Sequence, residues 1–376
     1  MTTAERLLFD LIAIPSVNPA FLPVGHSLAG EKRVADFLGA RATRAGLEVL
    51  FEQVFPERAN VLLRLAPPGP IKHRILLAPH MDTVGVTEDA MLTPRLKDGR
   101  IHGRGACDTK GCIAAMFTAV ADLAQRKRRP QHTEIVFAAL IDEENNQAGS
   151  RALAKGAYHA DLAIVGEPTR LKVVTAHKGD LWLKLETEGK AAHGSKPHLG
   201  RNAVHAMAKI VDLLETEYAA LLRTRSHPLL GSPTVNVGSI NGGVQPNIVP
   251  AHCSITVDRR TIPGETEASV RKEIMSLLRR HKLKATLADT RSSGCLPLET
   301  DPALPLVSRF IQSAGQRETI GVDFFCDASV LSQAGTPSIV FGPGDIAQAH
   351  TADEWIATAS LERGTQILSR FLQALP

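Results

Sequence analysis

Four short, almost continuously apolar runs, each leading to side chains that can bind a metal ion, constrain this chain more than any other feature. Ile75-Leu76-Leu77-Ala78 leads to His80, and the run Ile135 to Ile141 leads to Glu143 and Glu144. Leu162-Ala163-Ile164-Val165 leads to Glu167, and Ser338-Ile339-Val340-Phe341 lies shortly before His350. Runs this short, without polar alternation, are expected of strands buried on both faces of a sheet. Between the first two, Ile113, Met116, Phe117, Val120 and Leu123 recur at helical spacing. Strand, helix, strand implies a parallel sheet. Ligands of open sheets of this kind gather beyond the carboxyl ends of the strands, so the polar residues after each run converge on one crevice. Asp108, which opens the intervening helix, joins them.

Carboxylate oxygens and neutral imidazole nitrogens are ligands for zinc and its first-row neighbours. No thiolate belongs to the set. Ligands drawn from separate loops leave coordination positions open to water and substrate, the catalytic arrangement, whereas a structural zinc site favours close cysteine pairs. Two histidines and several carboxylates can hold two ions. The simplest division has Asp108 bridging, His80 and Glu167 on one ion, and Glu144 and His350 on the other. Glu143 is then free to act as general base on a water whose pKa the metal lowers. Taken singly, these acids have blander explanations: Asp108 as a helix cap, Asp82 as a turn residue. Taken together, each close to a buried element, they do not.

Other chemistries fit less well. The Gly103 to Gly111 segment looks superficially like a phosphate loop, but Lys110 is followed by Gly111 and not by Ser or Thr. A Gly-x-Ser-x-Gly nucleophile elbow is absent. Cys107 beside Asp108 reads better as a buried small residue than as a nucleophile. The net charge of +4 is spread through the sequence and does not mark a nucleic-acid binder. The densest basic cluster, Lys127-Arg128-Arg129, suits a solvated helix C-terminus. Five cysteines, odd in number and irregularly spaced, imply no disulfide framework. No signal sequence or membrane-spanning run is evident, so a cytoplasmic location is expected.

At 376 residues the chain suits two domains. From Asp180 the pattern alternates, Leu181, Leu183 and Leu185 against Trp182, Lys184 and Glu186, as in a strand with one wet face. A helix near 202–222, strands near 234–240 and 253–257, and a helix near 266–280 follow. They predict an α+β insertion over 179–288, flanked by the two parts of a catalytic domain, 1–178 and 289–376.

The strings His80-Met81-Asp82-Thr83-Val84, Gly103-Arg104-Gly105 through Asp108-Thr109-Lys110-Gly111, Glu143-Glu144, Gly166-Glu167-Pro168-Thr169 and Ala191-Ala192-His193-Gly194-Ser195 resemble those of the M20 metallopeptidase family. The segment Phe341 to Glu354 resembles most its acetylornithine deacetylases. The resemblance implies a zinc-exopeptidase-like α/β fold, a mixed and mostly parallel sheet flanked by helices, with an inserted dimerisation or lid domain. It implies two Zn2+ ions per chain, with Co2+ able to substitute, on His80, Asp108, Glu144, Glu167 and His350. Glu143 is the implied base, Asp82 orients His80, and the peptide after Asp108 is cis. His193 is implied to reach the active site of the other subunit of a homodimer and steady the oxyanion. Arg260 and Asn247 match positions that contact the substrate carboxylate, a task suited to a guanidinium. The implied activity is hydrolysis of an N-acyl amino acid, foremost N-acetylornithine in arginine biosynthesis. Desuccinylation of succinyl-diaminopimelate, another deacylation, or carboxypeptidase action are the alternatives.

Overall fold

The structure, a computed structural model, describes residues 1–126, 129–156, 158–289 and 294–376. Lys127 and Arg128 of the basic cluster lie outside the described residues. The chain divides into two compact units, one of Met1–Thr175, Thr300–Ile320 and Cys326–Pro376, the other of Ala176–Glu299 and Gly321–Phe325.

The apolar runs form the centre of the first unit's sheet. His73–Pro79 lies between Thr133–Ala139 and Leu162–Gly166 and parallel to both, and Ser338–Val340 adds parallel to Leu162–Gly166. On the far side of Thr133–Ala139, Arg58–Leu65 and then Glu48–Phe55 pair antiparallel. Every residue of Thr133–Ala139 is buried, as expected for a strand covered on both faces. Ile75, Leu77, Ile135, Phe137, Leu162 and Ile164 point into one large core with the helices Thr3–Ala13, Lys32–Arg44, Lys110–Ala124 and Thr358–Gln373. Their neighbours Leu76, Val136 and Ala163 are buried on the opposite face. Lys110–Ala124 is the crossover helix between two parallel strands, and all five apolar residues that mark its period are buried. Phe117 meets Phe137 edge-on at 6.0 Å, and Phe310 meets Phe341 and Phe371 in the same way at 5.0 Å each.

The second unit has an antiparallel sheet in the order Thr234–Gly242, His252–Thr261, Gly179–Glu188, Thr286–Asp289. Leu181, Leu183 and Leu185 alternate inward against Ala203–Leu213, its continuation through a π-turn at Leu214–Tyr218, and the helix Glu267–Arg280. The expected 179–288 insertion lies within this unit, which is wider at both ends. Ala176 and His177 pair with Glu299 and Leu298, and Lys178 forms an ion pair with Asp323 at 2.8 Å.

Strand His252–Thr261 also separates two adjacent arginines. Cys253, Ile255, Val257 and Arg259 face the helices, and the residues between them face away. Arg259 is fully buried, with Nη2 2.6 Å from Glu265 and Nε donating to Tyr218 Oη at 3.2 Å. Arg260 is part-exposed on the other face, forked onto Asp258 at 2.9 and 3.0 Å and over the Phe325 ring. Arg259 is therefore a structural cation. Arg259→Met should lower stability by about 3 kcal/mol, the scale for breaking a buried pair, whereas Arg260→Met should change it by less than about 1 kcal/mol. Urea unfolding of the two variants checks this, and equal losses would contradict it.

Candidate active site

The crevice beyond the parallel strands collects the sequence-marked residues of the first unit. His80 directly follows His73–Pro79, Glu143 and Glu144 follow Thr133–Ala139, and Glu167 follows Leu162–Gly166. Asp108 precedes the helix Lys110–Ala124, whose N-cap residue, Thr109, makes no side-chain cap bond. The Asp108 carboxylate does not cap the helix but turns toward His80 and His350. The Asp108–Thr109 peptide is cis, as the family resemblance implies.

Two groups of donors share Asp108. His80, Asp108 and Glu167 form one, and Asp108, Glu144 and His350 the other, with the ligand atoms of each group within 4.8 Å of one another. His80 Nε2 is 3.1 Å from Asp108 Oδ1 and 3.7 Å from Glu167 Oε1. His350 Nε2 is 3.4 Å from Asp108 Oδ2 and 3.1 Å from Glu144 Oε2. Glu143 belongs to neither group, and its Oε2 lies 4.0 Å from His80 Nε2.

The electrostatics fit a cation. Burial first, then the charges of Glu167, Asp327 and Glu144, push the Glu143 carboxyl well above its usual range, against the pull of His80. Glu167 is raised in the same way, chiefly by burial, with Asp108, Asp327 and Glu144 adding. Its Oε1 is buried without a hydrogen-bond partner. Hydrogen bonds to Asp108 and Glu144 hold His350 up at about 10. So dense a set of mutually repelling acids with an orphaned oxygen meets the donor chemistry of zinc-class ions, oxygen and imidazole nitrogen. The thiols do not take part: burial and the Asp108 and Glu354 charges push Cys107 up, away from a reactive thiolate.

The supports of these ligands extend beyond what the sequence marked. His80 Nδ1 donates to the Asp82 carbonyl at 3.0 Å, leaving Nε2 for the cluster, and the Asp82 carboxylate lies 3.4 Å away. That carboxylate accepts the backbone N–H groups of Glu143 and Glu144, both at 3.1 Å, so Asp82 fixes the acidic turn as well as the histidine. Asn18 spends one amide on two acids, Nδ2 donating to Asp82 at 2.7 Å and to Asp142 at 3.1 Å. Arg58 bridges Asp142 and the buried Glu31 at 3.1 and 2.6 Å. Asp142 takes φ +65°, a left-handed conformation that aspartate tolerates better than most residues, immediately before Glu143. Asp327, raised to about 6 mainly by burial, accepts from Ser150 at 2.5 Å. Asn18 also caps the local turn that its own sequence Asn18-Pro19 begins, Oδ1 accepting from Ala20 N–H. Nothing in it points to residue 82 or 142.

His193, Asn247 and Arg260 lie in the second unit. His193 is exposed on a loop, its Nδ1 2.7 Å from Ser195 Oγ, and Gly194 N–H donates to the Asn247 carbonyl at 2.7 Å, placing these two residues side by side.

Residues 76–374 match the sequence profile of peptidase family M20/M25/M40. The chain belongs to that family of metal-dependent hydrolases. Among its relatives, acetylornithine deacetylase of Myxococcus xanthus is 31% identical over 89% of this chain and 90% of its own, and that of Edwardsiella ictaluri 31% identical over 93% and 91%. Among solved structures, a tripeptidase from Staphylococcus aureus has the same fold, with a TM-score of 0.80 at 20% identity over 99% of this chain and 97% of its own. A dinuclear metal-binding M20 peptidase from Bacillus subtilis matches with a TM-score of 0.72 at 12% identity over 98% and 96%.

The Asn18 bridge gives a pH-dependent prediction. Asn18→Asp sets a third carboxylate against Asp82 and Asp142, so its folded pKa rises above the unfolded value of about 3.9. The variant's deficit in stability should therefore open as pH rises above that value and level off at roughly 3 kcal/mol. Urea unfolding of metal-free protein should give a larger deficit at pH 8 than at pH 5; equal deficits would remove Asn18 from between the two acids.

Proposed function

We propose that this chain is a dinuclear zinc-class amidohydrolase that removes the acyl group from an N-acyl amino acid, with N-acetylornithine as substrate. The observation that carries the reading is the pair of donor groups sharing Asp108, with Glu143 outside both. His80 and Glu167 would hold one ion, Glu144 and His350 the other, and Asp108 both. When bound, such ions polarise a carbonyl and lower the pKa of water. Glu143 takes a proton from the attacking water and returns it to the departing amine nitrogen, so the amide C–N bond breaks as a C–O bond forms. Identity near 30% to acetylornithine deacetylases over most of the chain supports the substrate.

Arg260 and Asn247 are assigned to the substrate carboxylate. Arg260 offers a part-exposed guanidinium, while Arg259 is committed to the core. His193 is assigned to the oxyanion, supplied from a second copy in a homodimer. Its exposed loop and the outer edge of Thr234–Gly242, unpaired among the described residues, are consistent with such pairing. No helix among the described residues is long and apolar enough to cross a membrane. Cys107, Cys112, Cys253 and Cys326 are buried free thiols, consistent with a reducing, cytoplasmic setting.

Amine release from N-acetylornithine, succinyl-diaminopimelate and dipeptides tests the substrate; a preference for either of the latter two would replace the assignment. Elemental analysis should find two zinc-class ions per chain, and chelation should abolish activity that zinc or cobalt restores. Glu143→Gln should keep both ions while kcat falls by roughly 10²–10⁴, and Glu144→Gln should lose metal. A Glu143→Gln variant near wild-type rate would end its role in proton transfer.

Shared sites have their own signature. His193→Ala and Glu143→Ala homodimers should each be nearly inactive. Refolded together in equal amounts, half the dimers are mixed and each carries one complete site, so recovery should reach about a quarter of wild-type activity. Mixed dimers that recover nothing would place His193 outside the partner's site.

A further inference from the structure

Glu354 follows His350 closely in the chain, is 2% exposed and belongs to neither donor group. Its carboxylate is saturated by the loop that delivers Asp108. Oε1 accepts the backbone N–H of Cys107 at 2.8 Å and of Asp108 at 3.0 Å, and Oε2 accepts Gly105 N–H at 2.9 Å and Arg104 Nη1 at 2.7 Å. The Glu354 carbonyl in turn accepts Gly103 N–H at 3.0 Å. Three N–H groups converging on one anion require a curled backbone, and Gly105 supplies it at φ +82°, where a side chain would meet Lys110 Cδ at 2.7 Å. The position of Glu354 is itself fixed from outside the crevice, because Trp355–Ala357 pairs with Arg100–His102, Trp355 opposite His102.

We propose that Glu354 is a positioning residue that holds the Asp108 carboxylate between His80 and His350, the orientation in which it would belong to both donor groups. The inference rests on the metal reading above and extends it to a residue that touches neither ion. One carboxylate ties the Asp108 loop to the segment carrying His350, so the donor shared by both groups and one donor of the second group are set by a common anchor. Glutamine has nearly the same shape but only one acceptor oxygen. Whichever way its amide turns, an NH2 group faces N–H donors, and the loop loses up to half of its anchor.

The test uses full-length, metal-free protein titrated with Co2+, together with hydrogen–deuterium exchange of the same sample. Glu354→Gln should bind Co2+ about 10–100-fold more weakly, as expected when a ligand loses its outer support. The visible spectrum of its Co2+ form should change. Exchange should quicken at Gly105, Cys107 and Asp108 while the Thr133–Ala139 strand remains as protected as in wild type, a pattern that general destabilisation would not produce. Wild-type Co2+ affinity together with wild-type exchange at the three amides would overturn the proposal. If wild type itself takes up no Co2+, the metal reading falls. Faster exchange in Glu354→Gln would then still uphold Glu354 as the anchor of the Asp108 loop, and unchanged exchange would overturn that too. Should Glu354→Gln fail to fold, Glu354→Asp keeps the charge but falls one methylene short of the three amides. Its Co2+ affinity should drop several-fold, and equality with wild type would overturn the proposal.

Discussion

The two oxygens of one carboxylate hold this structure's chemistry together. Asp108 faces His80 through Oδ1 and His350 through Oδ2, and those histidines come from different segments of the first unit's chain. The parallel strands exist, in this sense, to bring their carboxyl ends within reach of that residue. Around it the protein concentrates acids that raise one another's proton affinity, an arrangement that is unfavourable unless positive charge is supplied. The neighbouring hydrogen bonds obey the same logic. Four buried acids not assigned to metal or proton transfer, Asp82, Asp142, Glu31 and Glu354, are met by amide or guanidinium donors, and Asp327 accepts from the Ser150 hydroxyl.

The central strands were legible because burial on both faces leaves no room for polar residues, so composition alone marks them. Ile75 to Ala78 and Leu162 to Val165 announce themselves, and so do the polar residues placed where each strand ends. Glu48–Phe55 and Arg58–Leu65 announce themselves poorly. They lie toward the sheet's edge, where Glu52, Arg58 and Arg64 interrupt the pattern. The donor groups could be anticipated from strand ends. The supports could not, because Asn18, Arg58 and Glu31 act through contacts whose partners lie far along the chain, and periodicity carries no information about such pairs. Glu354 had a trace in the sequence, an acid in the segment shared with His350, but its purpose depends on three backbone N–H groups that have no letter in the sequence at all.

The second unit was legible for a different reason. Its sheet has one covered face, so Leu181, Leu183 and Leu185 alternate with polar residues and the period declares the strand. The same alternation resolves Arg259 from Arg260, which a reading of residue types leaves equivalent. What it did not give was the unit's margins, where Ala176 to Lys178 and Asp289 to Glu299 carry no alternation that marks a border.

The order in which the strands lie has a consequence for synthesis. Ser338–Val340 sits beside Leu162–Gly166, the helix Thr358–Gln373 packs on Lys110–Ala124, and the Pro376 carbonyl accepts from Thr133 Oγ1 at 2.9 Å. A nascent chain that has emerged as far as Glu167 thus has four of the five donors in hand and the sheet's central strands made, yet it must keep an acid-rich crevice and an uncovered strand edge waiting for the remaining half of the polypeptide. A chain that has not yet reached His350 has no second donor group, so the acidic centre can be completed only late in synthesis.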